Sequence, residues 1–373
     1  MSALNPLERS LLALIALLTA LAGIANYGHW AVVPRFILAT LALAGLAWVV
    51  SFATEQLGER FGPGVTGLMQ STLGNLPELF VVIFALQKGE LIVAQTAIIG
   101  SVFANALLVL GLVIVVGARR APDGVMRFSR RLPRDTATLL AVTAFIIVLL
   151  GLSLAAQDPA SHHVNEISII GAISLLVVYL AWVVPYVRSD SAPGAVDLGG
   201  REPGAQEPVE LFVEDPAPAG PRLSLTLTLT LLVCAGVASA FVSDWFINGL
   251  APAIKQLGIS QAFAGLVIVA IAGNAVENTA GVVLAWKGRS DLAISVVKNS
   301  VAQISAFLFP VLVLISFALA TTLTFSIAPV YIGAFLLTAL SVAQVTGDGE
   351  AAEFEGWALV AIYVILAAVA LYE

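Results

Sequence analysis

Gly67-LMQSTLGNLPELFVVIFALQKGE-Leu91 and Gly265-LVIVAIAGNAVENTAGVVLAWKGRS-Asp291 carry one pattern twice. Each holds Gly-Asn-x-x-Glu, then an apolar stretch, then Lys-Gly: Gly74 to Glu78 before Lys88-Gly89, and Gly273 to Glu277 before Lys287-Gly288. The match continues downstream at Gly100-Ser101 and Asn299-Ser300, and upstream at Glu55-QLG and Lys255-QLG. Around each copy lie about five membrane-length apolar spans, in 31–188 and 222–373. An odd number of spans makes the second copy enter from the opposite side, so the pattern reads as an inverted repeat. In such transporters the substrate site lies near the midplane, at the repeat interface, on interrupted helices. Gly74 and Gly273 weaken a helix, and Pro77 removes a backbone donor, leaving carbonyls free to face a cation.

The composition agrees. Of 373 residues, 59% are hydrophobic and 11% charged, against roughly half and about a quarter in soluble domains. That excludes a soluble enzyme, a nucleic-acid-binding protein and a disordered chain. The single cysteine, Cys234, excludes a disulfide scaffold. The runs are too long and too uniform for an outer-membrane barrel. The expected fold class is therefore all-α and polytopic, with about 11 transmembrane helices. They fall at about 10–27, 33–57, 64–87, 91–117, 135–156, 166–187, 222–250, 261–286, 291–319, 323–343 and 356–372. Residues 10–26 read as a retained first helix within 1–30, not as a cleaved signal.

Arginines set the expected orientation. Arg119, Arg120, Arg127, Arg130, Arg131 and Arg134 crowd the loop 118–134 against one acid, Asp123, which makes that loop cytoplasmic. Alternation then puts the N-terminus inside with Lys287 and Arg289, and places the C-terminus, His162 and His163 outside. The segment 189–221 carries Asp190, Asp197, Glu202, Glu207, Glu210, Glu214 and Asp215 against Arg201. Its Pro, Gly and Ala content reads as an acidic cytoplasmic linker, with a cation-attracting or regulatory strip as the functional alternative.

The chemistry sits in the motifs. A carboxylate inside a membrane helix costs about 2.5–3.5 kcal/mol on the mildest scale and marks function by default. Glu78 and Glu277 occupy equivalent positions; the plain alternative is that they bond neighbouring helices. Asn75 and Asn274 each lie three residues earlier, on the same helix face as the glutamate. Ser101 with Asn105, and Ser300 with Gln303, share faces on the following helices. For these four the plain alternative is interhelical hydrogen bonding. This all-oxygen set, Glu78, Glu277, Asn75, Asn274, Ser101, Asn105, Ser300 and Gln303, suits a hard cation such as Ca²⁺ and not Zn²⁺ or Cu⁺. The residues alone do not separate Ca²⁺ from Na⁺, Mg²⁺ or Mn²⁺. Two buried carboxylates repel each other and hold protons without metal, and a divalent cation expels them. Glu78 and Glu277 thus double as proton-coupling residues, and two protons against one Ca²⁺ would be electroneutral.

At these residues the sequence resembles the cation/Ca²⁺ exchanger superfamily, in its Ca²⁺/H⁺ exchanger branch. The family's Gly-Asn-Ala-Thr-Glu is similar to Gly74-Asn-Leu-Pro-Glu78, and its Gly-Asn-Ala-Ala-Glu-His to Gly273-Asn-Ala-Val-Glu277-Asn278. Gly100-SVFA-Asn105, Ser300-VA-Gln303 and Gly347-DGEAAEFE-Gly356 extend the likeness over about 40–372. The resemblance implies an eleven-helix fold with a peripheral first helix and Glu78 and Glu277 as the central cation and proton sites. It also implies a regulatory acidic segment between the repeats. Three positions depart from it: Asn278 for the usual His, Pro77 inside the first motif, and Lys298 for a small or apolar residue. A lysine at 298 could pair with a carboxylate and weaken divalent binding; the plain alternative, which the difference of about 200° between Lys298 and Ser300 around a helix favours, is that it faces lipid or a loop-side neighbour.

The function read from the sequence is secondary Ca²⁺/H⁺ antiport by alternating access. Its expected surroundings are the lipid bilayer of a prokaryotic inner membrane, with no resident cofactor and no nucleic acid. Na⁺-coupled exchange or Na⁺/H⁺ antiport on the same scaffold is the alternative. A membrane enzyme is disfavoured, because neither His-Glu-x-x-His nor Gly-x-Ser-x-Gly occurs. The inverted repeat argues against a channel.

Overall fold

A computed structural model describes residues 4–58, 60, 73–190 and 222–373, with the backbone alone for 58, 131–132, 186–190 and 276–277. The start of the third expected span, 64–72, and all of the expected linker 189–221 after Asp190 lie outside the described residues.

Twelve helical stretches carry the fold. They are α1 (Pro6–Tyr27), α2 (Val32–Gly58), α3 (Leu76–Gln87), α4 (Leu91–Arg120), α5 (Arg131–Ala156), α6 (Val164–Asp190), α7 (Leu225–Leu257), α8 (Gln261–Gly273), α9 (Ala275–Trp286), α10 (Ser290–Ser316), α11 (Pro329–Thr346) and α12 (Glu353–Leu371). Among the described residues nine helices are long and apolar enough to span a bilayer, and the bent pair α8–α9 makes a tenth. The protein is a polytopic helical membrane protein.

Local signals explain most boundaries. Ser224 Oγ caps α7 by accepting from Leu227 N at 3.3 Å, and Gly258 ends it at φ +67°. α7 thus runs seven residues past the expected 250, through polar residues that no hydropathy window extends over. The expected span 323–343 is corrected. α11 starts at Pro329, where a missing amide costs nothing. Before it, Leu323 N and Phe325 N donate to Ser316 Oγ and Ser168 Oγ and not to helical carbonyls. α4 and α10 contain π-helical turns, Ala104–Val109 and Ile304–Leu308, and another spans Ala264–Val269 in α8.

The all-α expectation needs one amendment. Val125–Arg127 (β1) pairs antiparallel with Glu350–Ala352 (β2). Phe128 N donates to Gly349 O at 2.8 Å, and Gly349 sits at φ +81° with Arg130 packed where a Cβ would go, so only glycine fits. The ribbon edge carries exposed charges: Arg127 reaches Asp123 at 2.7 Å and Glu350 at 3.6 Å. The hydrogen bond from Arg127 holds the Asp123 carboxyl below the usual carboxylate range.

Contacts between helix ends sort into two sets. One joins Glu8 to Arg222 at 2.9 Å, Arg60 to Leu223 O, Arg119 to Glu353 at 2.7 Å, Ser129 N to Asp291 at 2.6 Å, and stacks Arg120 over Trp286. The other joins Gln261 to Glu90 at 2.9 Å, Gln95 to Ser326 O at 2.7 Å, Ser260 to Ala370 O, and Tyr331 to Glu373. These are the two sets of ends that strict alternation puts on opposite sides. We call them the arginine-rich face and the far face.

α2 and α7 pack along their lengths, with Phe36 and Phe246 ring centroids 5.0 Å apart. α4 is the most enclosed span, 89% buried against 22% for α1, so α1 is peripheral. α4 crosses α8 backbone to backbone. A Cβ on Gly100 would lie 2.5 Å from Leu266 Cα, and one on Gly265 would lie 2.0 Å from Thr96 Oγ1. Small residues at a crossing permit that approach, and it brings the two motifs to one place.

Candidate cation site

Both motifs start a helix in the same way, and the second also interrupts one. Asn75 (φ −90°, ψ 16°) precedes α3, and Asn274 (φ −95°, ψ 13°) separates α8 from α9. Both conformations lie in the sparsely allowed bridge region, where site residues are often found. Asn75 O accepts from Leu79 N at 3.0 Å, and Asn274 O accepts from Asn278 N at 3.0 Å. The α8–α9 break bends the span by 57°. Pro77, unusual for the motif, falls in the first turn of α3, where its absent amide is no loss. Glu78 follows it, also in the first turn, near free amides and the positive end of the helix dipole.

The site is buried and crowded. Asn75, Glu78, Ser101, Asn105, Asn274, Ser300 and Gln303 are all buried. Asn274 Nδ2 donates to Ser101 Oγ at 2.9 Å and to Ala270 O at 2.8 Å. Asn105 Nδ2 donates to Asn274 Oδ1 at 2.9 Å and to Ser101 O at 2.9 Å. Asn105 sits in the π-turn of α4, a distortion that recurs at functional sites. Its Oδ1 is buried and accepts no hydrogen bond among the described residues, so a carbonyl-type oxygen is left to face a cation. Glu78 comes from the other motif. Its carboxyl lies against Gly273, where a Cβ would stand 2.5 Å from Oε1.

The structure therefore brings Glu78, Ser101, Asn105 and Asn274 together. Ser300 and Gln303 are buried on α10, which packs against the π-turn of α4. Glu277 lies in the first turn of α9; its side chain is outside the described residues. Among the described residues no three His, Cys, Asp or Glu side chains cluster.

Lys298 is fully buried. Its Nζ donates to Thr346 Oγ1 at 3.1 Å, and its carbonyl accepts from Thr136 Oγ1 at 3.3 Å. It faces no lipid. It points to the last residue of α11, a loop-side neighbour at a carbonyl-rich helix end that favours a cation. Asp244 was passed over in the sequence, although a lone acid in an apolar run was signal enough; it pairs with Lys88 at 2.6 Å.

The model of the sodium/calcium exchanger protein family matches residues 31–186 and 227–372. The chain belongs to that family. The exchanger is 30% identical over 348 residues to the Ca(2+)/H(+) antiporter of Synechocystis sp., covering 92% of each chain. It is 27% identical over 361 residues to the Ca(2+)/H(+) antiporter ChaA of Bacillus subtilis, covering 97% of this chain and 98% of that one. The structure of native YfkE superposes with a TM-score of 0.77 at 25% identity, over 97% of this exchanger and all of YfkE.

Proposed function

We propose that this protein exchanges Ca²⁺ for protons by alternating access, with Glu78 and Glu277 holding either the cation or protons. The observation that carries the reading is the seat of Glu78 against Gly273, beside the Asn274–Ser101–Asn105 cluster. A carboxylate from one motif thus meets amide and hydroxyl oxygens from the other helices. Asn75, Ser300 and Gln303 complete an all-oxygen shell of the kind a hard cation takes. The Ca(2+)/H(+) antiporters among its relatives support Ca²⁺ and H⁺ as the exchanged ions.

The two Gly-Asn motifs sit in the two halves of an inverted repeat, 31–188 and 222–373, joined by the acidic segment 189–221. The double match of the family model and the shared backbone at Asn75 and Asn274 support this division. The arginine-rich face is cytoplasmic by the distribution of basic residues, which places the N-terminus inside and the C-terminus outside, in a prokaryotic inner membrane. Its activity is transport and not catalysis.

The test is ⁴⁵Ca²⁺ uptake into proteoliposomes. Uptake should follow an imposed pH gradient, persist without Na⁺ and collapse with a protonophore. Uptake that follows a Na⁺ gradient and ignores pH would overturn the assignment.

A further inference from the structure

Asp244 stands within the apolar helix α7, where an unpaired carboxylate would be costly. Lys88, at the end of α3, reaches its Oδ1 at 2.6 Å and also donates to Asn248 Oδ1. Asn248 Nδ2 closes the triangle by donating to Asp244 Oδ2 at 2.9 Å. These three side chains tie the far-face end of the Glu78 helix to α7. Deeper along the same seam, Gly236 of α7 packs against Leu76 of α3, with a Cβ position 3.8 Å from Leu76 Cδ1. Ser239 and Ser243 follow Gly236 on that helix face, by the 3.6-residue period. Both are 0% exposed, and neither hydroxyl has a hydrogen-bond partner among the described residues. Buried hydroxyls are ordinarily satisfied, and water entering the seam would satisfy these two.

The arrangement is one-sided. Aligning Glu55-QLG with Lys255-QLG puts Ala44 and Trp48 of α2 at the positions of Asp244 and Asn248. Lys287, the counterpart of Lys88, has no acidic partner within 4.0 Å among the described residues.

We propose that Lys88, Asp244 and Asn248 form a latch that holds the α3–α7 seam shut at the far face, and that releasing it admits water along Ser243 and Ser239 towards Glu78. The proposal rests on the exchange reading for its place in the transport cycle. About a third of each charged side chain remains exposed, 32% for Lys88 and 37% for Asp244, so the latch can open without crossing a dry core.

Full-length protein carrying Cys234→Ala and Ser243→Cys, reconstituted in vesicles, tests it. A membrane-impermeant maleimide applied from the far face reports access to position 243. Asp244→Asn or Lys88→Met should speed labelling about fivefold, as expected for loss of one partly exposed ion pair. Asn248→Ala, which keeps both charges, should speed it less. Lys88→Asp combined with Asp244→Lys should return it to the starting rate. Labelling unchanged by every single substitution would overturn the latch, as would a reversed pair that labels as fast as the single variants. Labelling needs no Ca²⁺/H⁺ exchange, so this pattern in a protein that moves no Ca²⁺ would sink the function and leave the latch standing.

Discussion

Asn75 and Asn274 open α3 and α9 with nearly the same backbone angles, yet the two helices they open are held differently. The Asn274 break lies under the α4–α8 crossing, hydrogen-bonds Ser101 and Asn105, and receives Glu78 on Gly273. At the far end of the Asn75 helix, Lys88 is clamped to α7, while Lys287 after α9 has no such acid among the described residues. A Gly-Asn pair followed by a helix start is a local instruction, so it recurs. The partners come from whichever helix crosses, so they need not recur. A contact present in one half alone weights the two faces differently when one half rocks against the other.

Five substitutions can break or sharpen this comparison. Gly273→Ala drives a methyl into the Glu78 carboxyl, and half-maximal Ca²⁺ should rise at least about tenfold, a cost of about 1.4 kcal/mol. Wild-type affinity in that variant would mean the carboxyl does not work from this seat. Asn274→Ala strands Asn105 and Ser101, and should lower stability by about 1–3 kcal/mol in a detergent melt. Asn75→Ala leaves the bonds among Asn274, Ser101 and Asn105 in place, and the same melt compares the two breaks directly; a larger loss than in Asn274→Ala would show the cluster to be the weaker of the two anchors. Lys298→Met removes the bond to Thr346 and the buried ammonium. It should shift the melting temperature more than the Ca²⁺ dependence, since the side chain points to the end of α11. A large gain in Ca²⁺ affinity would instead place its charge in the site. Asp123→Asn should change neither melting nor transport. Its carboxylate is held ionised by Arg127, so any contribution is present above the ordinary carboxylate range and lost only as pH falls through its lowered value. That pair is fully exposed and screened, and a measurable shift between neutral and mildly acid pH would contradict this.

The repeated motif was legible because helix breaking is written in a few residues: Gly, Asn and a proline at a helix start. Span positions were legible from apolar runs, except where polar caps decide. α7 continues through Asn248 to Leu257, and α11 waits for Pro329. The β1–β2 ribbon was not legible, since three-residue strands pair only after the two loops have been brought together. The grouping of Asn105 with Asn274 was foreseen as two separate pairs on two helices. Their contact depends on Gly100 and Gly265 letting backbones touch, which no single-helix pattern contains. Lys298 followed its helical angle correctly as to direction, but its complete burial depends on α5 and α11 closing over it.

The central claim is that Glu78 and Glu277 bind Ca²⁺ and protons in competition. Proteoliposomes loaded with a pH-sensitive dye test it most directly, through Ca²⁺-driven proton release in wild-type protein, Glu78→Gln and Glu277→Gln. The wild type should move protons against Ca²⁺. Each variant, still folded by its melting curve, should lose about a hundredfold or more of that exchange, as removal of one essential charged group does. Near-normal exchange by either glutamine variant would contradict the account.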